Sequence, residues 1–385
     1  MGRPSTWQPD TQVGAGQRLE RLVWSTHAAV ATLQQLSDFV VLGLVLLMFR
    51  TACFSPDIPL PLLITGVAGV AGYNALPYFQ SRYPGRVIGV RQADNWRLVG
   101  QGIVACNAED YESLARLFDE HQFAAVLDCA GNCALKSCEL DPAMAWRINV
   151  EGARNLLRVM AGRPARLVHL SIDLVFSGKQ EGGYREHQPT DPVTVYGQTM
   201  VAAEQLILEQ DAKACILRIS LPMGISFNGH AGAIDWIQSR FKKHRPATLY
   251  FDEIRTPTYT DCLNELCAAA LSGQLTGLYH AGGPRRLSLY QIAQVINRVG
   301  GYDPSLLTGC LRAAAGPMPP RAGDVSMDSG KLSEALGYQP FSPWPFRDDL
   351  APTHRQWHHE RGVGEVASPQ YLAEVLYRNP ARGVV

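Results

Sequence analysis

From Leu60 onward, short apolar runs alternate with helix-length amphipathic segments. Leu62-Leu63-Ile64, Val87 to Val90, Ala124 to Leu127, Leu167 to Leu170 and Cys215 to Ile219 read as strands. Their apolar residues are nearly continuous rather than alternating, which suits strands covered on both faces. The pattern predicts an α/β fold built on a doubly wound parallel sheet. After Ile219 the alternation fades. Pro222 to Asp252 and Gly283 to Pro345 are richer in glycine and proline, and they suggest a smaller lobe closing over a ligand. Between them, Cys262 to Leu271 reads as a helix and Gly277 to His280 as a further strand.

These patterns divide the chain into residues 1–57, an N-terminal extension, and 58–221, a dinucleotide-binding core completed by about 253–282. Residues 222–252 and 283–345 form the substrate lobe and 346–385 a charged tail. Histidines 354, 358 and 359 in that tail read as a solvated face rather than metal ligands.

The helix from Pro142 to about Met160 is unusually legible. Asp141 can cap it and Pro142 suits its first turn. Ala145, Asn149, Gly152 and Leu156 recur at helical spacing, so Asn149 falls on the apolar face and needs polar partners there. Pro77 has the opposite meaning: it should kink or shorten the helix that follows the first strand.

That first strand runs into Thr65-Gly66-Val67-Ala68-Gly69-Val70-Ala71-Gly72, a T-G-x-x-G-x-x-G loop opening a helix. Glycines permit the tight turn and close approach to a pyrophosphate, and the helix N-terminus attracts its charge. Gly66, Ala68, Gly69, Val70 and Gly72 are therefore expected to hold a nicotinamide dinucleotide on a Rossmann-type sheet. At the end of the second strand Arg91 stands where an acidic residue would bind an unphosphorylated ribose. A guanidinium can pair with a 2′-phosphate, so NADP(H) is preferred over NAD(H).

Composition narrows the classes that remain. Lysine plus arginine equals aspartate plus glutamate, at 35 each, so no basic surface argues for nucleic acid. Nine cysteines are scattered without paired C-x-x-C spacing, which reads as thiols of a reducing, cytoplasmic compartment with no metal site. The apolar run Phe39 to Phe49 has about half the length needed to span a bilayer. A docking helix, an interfacial anchor, or translated sequence upstream of a start at Met48 would each account for it. A non-spanning, dispensable extension is preferred to membrane contact.

Two further segments carry candidate chemistry. Ser171-Ile172-Asp173-Leu174-Val175-Phe176 and Tyr196-Gly197-Gln198-Thr199-Met200 resemble the two catalytic stretches of short-chain dehydrogenases. With Asp128-Cys129-Ala130-Gly131, Trp146 to Gly152, Gly183-Tyr184-Arg185-Glu186, Arg255-Thr256-Pro257-Thr258-Tyr259 and Pro320 to Asp328, the chain from about Leu60 to Pro345 resembles the dTDP-4-dehydrorhamnose reductase family. The resemblance implies NADPH-dependent reduction of a nucleotide-linked 4-keto sugar. It places Cys129, Ala130, Gly131, Tyr196 and Met200 beside the cofactor, and Tyr196, Asn149, Ser171 and Asp173 in the catalytic set. The same family includes the regulatory beta subunit of methionine adenosyltransferase, so it also admits binding to a protein partner without turnover.

The resemblance breaks at two positions. Ile172 stands where the family has a catalytic Ser or Thr, and Met200 where it has Lys. In the family's chemistry Tyr donates a proton to the developing alkoxide, and its phenol, ordinarily near pKa 10, depends on the lysine charge to titrate lower. Met200 keeps the i, i+4 spacing without charge or N–H donor. Losing one such group commonly costs about a hundred- to a thousandfold in rate. Ser171 should point away from Ile172 by strand alternation, and Lys136 and Lys179 are expected in solvent. Two functions follow: a reductase with an altered acid/base group, or a catalytically silent cofactor-binding protein.

Overall fold

The computed structural model describes residues 57–229, 232–317, 319–362 and 364–380. The apolar run Phe39 to Phe49 lies outside them. Seven parallel strands make the central sheet: β1 (Leu62–Ile64), β2 (Val87–Arg91), β3 (Ile103–Ala105), β4 (Ala125–Asp128), β5 (Arg166–Ile172), β6 (Cys215–Ile219) and, at the far edge, β11 (Gly277–Ala281). Their order is β11-β6-β5-β4-β1-β2-β3. Every residue of β1, β4 and β6 is buried, as the apolar runs predict for central strands covered by helices on both faces. β3 escaped the sequence pattern because it is a half-exposed edge strand of three residues.

Among the described residues, four two-residue strands and two longer ones lie outside this sheet. They are β7 (Pro222–Met223), β8 (Ala247–Tyr250), β9 (Ile254–Arg255), β10 (Thr258–Tyr259), β12 (Leu287–Ser288) and β13 (Leu307–Cys310). They pair as β10-β7, β12-β9 and β13-β8. Such short ladders leave little periodicity to read in the sequence.

Helix α1 (Val70–Arg82) follows the glycine loop and runs 13 residues through Pro77, which neither ends nor shortens it. Pro77 lies on the exposed side, where water can take the carbonyl that loses its helical donor. Asp110 caps α2 (Tyr111–His121) through the Ser113 amide. After α3 (Leu135–Leu140), Asp141 accepts the Met144 amide at 2.9 Å and Pro142 opens α4 (Pro142–Trp146). A π-helical turn, Arg147–Glu151, joins α4 to α5 (Gly152–Met160). Ala145, Asn149, Gly152 and Leu156 are all buried, as their spacing requires.

α6 (Val195–Gln210), α7 (Ala233–Lys242), α8 (Thr260–Leu271), α9 (Leu289–Val299), α10 (Gly330–Leu336) and α11 (Pro369–Leu376) complete the helices of eight residues or nearly so. Among the described residues no helix is long and apolar enough to cross a membrane. The region beyond Pro345 is not simply a solvated tail. Leu372, Val375 and Leu376 of α11 join the main core beside Trp344 and Trp357. The Tyr259 hydroxyl donates to the Val375 carbonyl at 2.7 Å, and Trp344 Nε1 donates to the Leu376 carbonyl at 2.9 Å. His354 and His359 are exposed, but His358 is buried, with Nδ1 facing the Gln294 amide at 3.1 Å.

Candidate functional site

The sheet reverses its winding between β1 and β4, and the loops leaving these strands diverge to open a cleft at their carboxyl ends. The cleft is lined by Gly66, Ala68, Gly69, Arg91, Cys129, Ala130, Gly131 and Asn149, among others. Val70 and Gly72 stand behind it in the first turn of α1. Gly66 has φ +64°, and a Cβ there would lie 2.2 Å from the Cys129 carbonyl oxygen. A Cβ on Gly72 would lie 2.5 Å from the Gly66 carbonyl oxygen. The loop thus folds tightly against β4 and its own helix only with glycine at both positions. Gly69 faces no such obstacle, and it leaves the α1 N-terminus without a side-chain cap.

Polar groups brace the floor of the cleft. The Thr65 hydroxyl donates to Asp128 Oδ1 at 2.5 Å and accepts the Cys129 and Ala130 amides, each at 3.1 Å. His169 Nδ1 meets Asp128 Oδ2 at 2.7 Å. Burial works against the Asp128 charge, but hydrogen bonds from His169 and Thr65, and the nearby imidazole, hold its carboxyl below the usual range. Sequence reasoning did not place Thr65, Asp128 or His169 in the site. A histidine interrupting the apolar run Leu167 to Leu170 was the available signal.

At the β2 end of the cleft, Arg91 is half-buried. Its Nε donates to the Leu98 carbonyl at 2.8 Å, and its Nη1 to the Gln92 and Ala93 carbonyls at 3.0 and 3.2 Å. Gln92, Asn95 and Asn107 line this end with it, and among the described residues no acidic side chain does.

The second group of expected site residues gathers around α6. Tyr196 and Met200, one turn apart on α6, are 8% and 2% exposed. They belong to one apolar cluster with Leu174, Val175 and Phe176, and Ile172 packs against it. Burial pushes the Tyr196 phenol well above its ordinary range; the thiol of Cys133 and the carboxylate of Asp173 add to this, and Arg255 opposes it. Asn149, on the π-helical turn, is fully engaged. Its Oδ1 accepts the Asn132 amide at 2.7 Å, and its Nδ2 donates to Thr199 Oγ1 at 2.8 Å. Thr199 in turn donates to the Tyr196 carbonyl at 2.8 Å. None of Tyr196, Met200, Ile172, Ser171 or Asp173 lines the cleft.

Ser171 and Asp173 are each committed elsewhere. The Ser171 hydroxyl donates to Glu204, whose carboxylate takes two bonds from Arg218 at 2.9 and 2.7 Å. Asp173 accepts Arg255 Nη1 at 2.5 Å and the Ser220 hydroxyl at 2.7 Å, while Arg255 also binds Glu253 at 2.9 Å. Lys136 and Lys179 are exposed. Among the described residues no group of His, Cys, Asp and Glu could hold a metal ion.

Comparison with known proteins decides what this arrangement descends from. Residues 61–355 match the family described as the RmlD substrate binding domain. The chain belongs to that family. A dTDP-4-dehydrorhamnose reductase of Streptomyces griseus is 30% identical over 293 residues, covering 73% of this chain and 90% of the relative. Methionine adenosyltransferase 2 subunit beta of Xenopus laevis is 25% identical over 309 residues, covering 74% and 88%. The crystal structure of dTDP-4-dehydrorhamnose reductase from Bacillus anthracis in complex with NADP shares the fold, with TM-score 0.65 at 21% identity, covering 74% and 95%. This member of the RmlD family therefore has one relative named for a reductase and another for a subunit of a different enzyme.

Proposed function

We propose that this chain binds a nicotinamide dinucleotide, NADP(H) before NAD(H), and a nucleotide sugar, but lacks the proton-transfer set of a reductase. The observation that carries the reading is the burial of Tyr196 and Met200 in one apolar cluster, against which Ile172 packs. Burial in that setting pushes the phenol above its ordinary range, which makes it a weaker proton donor. Asn149 and Asp173 cannot substitute, since their polar atoms are already bonded within the protein.

The cleft itself suits a dinucleotide. Gly66 and Gly72 keep the loop flat, the uncapped α1 N-terminus offers amides to a pyrophosphate, and a guanidinium rather than a carboxylate stands at the ribose end. When bound, NADPH would supply a hydride; the residues of this chain hold and orient it, and Tyr196 would have to deliver the proton. The likeness to methionine adenosyltransferase 2 subunit beta favours a regulatory or scaffolding role beside a protein partner.

The test joins binding to turnover. NADPH fluorescence should report binding, while NADPH oxidation with dTDP-4-dehydrorhamnose and related keto sugars should stay at background. Ile172→Thr with Met200→Lys should raise that oxidation. Robust wild-type turnover would overturn the silent reading, and failure to bind either nicotinamide cofactor would overturn the cofactor reading.

A further inference from the structure

We propose that Asn228 donates to the pyrophosphate of the bound dinucleotide, and that Asp235 is a positioning residue that holds Asn228 there. The cleft is thereby tied to the C-terminal helix α11. The inference rests on the cofactor reading and deepens it, by assigning a ligand from a segment outside the glycine loop.

Among the described residues, Asn228 is the one lining residue of the cleft that does not belong to residues 65–156. It lies between β7 and α7, on a stretch laid along the first turns of α1. Asn74 Nδ2, which bonds the Val70 carbonyl at 2.7 Å, also donates to the Ile225 carbonyl at 2.8 Å. The Phe227 ring packs against Tyr73, with centroids 6.3 Å apart. A Cβ on Gly232 would come 3.1 Å from Val70 Cγ2, so the start of α7 abuts the same turn. The uncapped N-terminus of α1 is the natural seat of the pyrophosphate. A carboxamide delivered beside it adds an N–H donor, and a hydrogen bond to an anion is among the strong ones.

Asp235 fixes this stretch from the other side. Its Oδ2 accepts the Ser226 amide at 2.8 Å and the Ser226 hydroxyl at 2.7 Å, while its Oδ1 accepts the Tyr377 hydroxyl at 2.7 Å. Asp235 and Ser226 are both buried. The Ser226 carbonyl in turn accepts the Gly229 amide at 3.2 Å, closing a turn on which Asn228 rides. Tyr377 directly follows α11. One carboxylate therefore joins the last helix to the segment that reaches the cleft.

The experiment separates positioning from general support. Asn228→Ala should weaken NADPH and NADH binding alike, each roughly tenfold by fluorescence titration, because both cofactors carry the pyrophosphate. Asp235→Ala should also lose affinity, yet cost nothing further when combined with Asn228→Ala, since it acts through that side chain. Asp235→Asn keeps an acceptor toward Ser226 and should stay near wild type. Tyr377→Phe repeats the comparison should Asp235→Ala fail to fold, and its smaller loss should likewise vanish in the Asn228→Ala background. Undiminished binding by Asn228→Ala, or a loss confined to NADPH, would overturn the pyrophosphate contact. Losses that add in the double variants, an Asp235→Asn no better than Asp235→Ala, or Tyr377→Phe at wild-type affinity would overturn the positioning role. A wild-type chain that binds neither cofactor would instead overturn the cofactor reading, and this inference with it.

Discussion

Met200 stands one turn beyond Tyr196 on α6, and both side chains close into the apolar cluster against which Ile172 packs. Their i, i+4 spacing brings the two side chains together beside Leu174, Val175 and Phe176. A charge placed at position 200 would enter this apolar cluster, and its effects should be measurable on both Tyr196 and the fold.

Met200→Lys should lower the Tyr196 pKa, because a nearby ammonium favours the phenolate. It should also destabilise the protein by about 1–3 kcal/mol, since a buried Lys without a partner carries a desolvation cost. Ultraviolet titration of the variant against the same variant carrying Tyr196→Phe isolates this tyrosine from the other 13. An unchanged titration would show that position 200 does not govern the phenol.

The glycines of the loop should separate folding from binding. Gly66→Ala places a Cβ 2.2 Å from the Cys129 carbonyl oxygen at positive φ, and should cost stability as well as NADPH affinity. Gly69→Ala meets only an ordinary contact of 3.5 Å, so its thermal midpoint should stay near wild type while affinity drops. Equal losses of stability in the two variants would contradict this.

Arg91→Gln should narrow the preference for NADPH over NADH by roughly tenfold, through loss of a charge-assisted contact to a 2′-phosphate. Three bonds to the carbonyls of residues 92, 93 and 98 also disappear, so some affinity for both cofactors should go with it. Parallel titrations with the two cofactors give the ratio.

Arg218→Ala should destabilise the fold by about 3–5 kcal/mol in urea unfolding, because Glu204 would remain buried beside Ser171 without its cation. Binding to the cleft, which none of these three residues lines, should change little in the folded fraction.

Stability should also fall with acidification through the window set by His358. Burial holds its imidazole down to about 4, against about 6.5 for an ordinary histidine. Between those values the unfolded chain takes up the proton first, so each step down in pH favours unfolding, and the effect levels off below about 4. Denaturation midpoints at pH 7, 5.5 and 4.5 should show a loss that His358→Gln reduces.

The parallel sheet was legible because β1, β4, β5 and β6 are largely apolar runs broken by only a few polar residues, and burial on both faces favours that composition. The Asp141 cap and the buried face through Asn149 were legible for a similar reason: both depend on spacing within one helix. Edge strand β3 and the short ladders were not, since a few half-exposed residues leave no period. The burial of His358 and of α11 also escaped notice, because charged and apolar residues mix closely in that stretch.

The sequence by itself determined the fold, the glycine loop, the family and the presence of Ile172 and Met200 in their motifs, since each is written in local pattern or identity. Only the tertiary structure decided what surrounds those positions. Strand register sets Asp128 opposite His169 and Ser171 opposite Arg218, and packing of α6 buries most of Tyr196 beside Met200, Leu174, Val175 and Phe176. Residues dozens of positions apart meet there, and burial and charge at a site are sums over such neighbours rather than properties of any one segment.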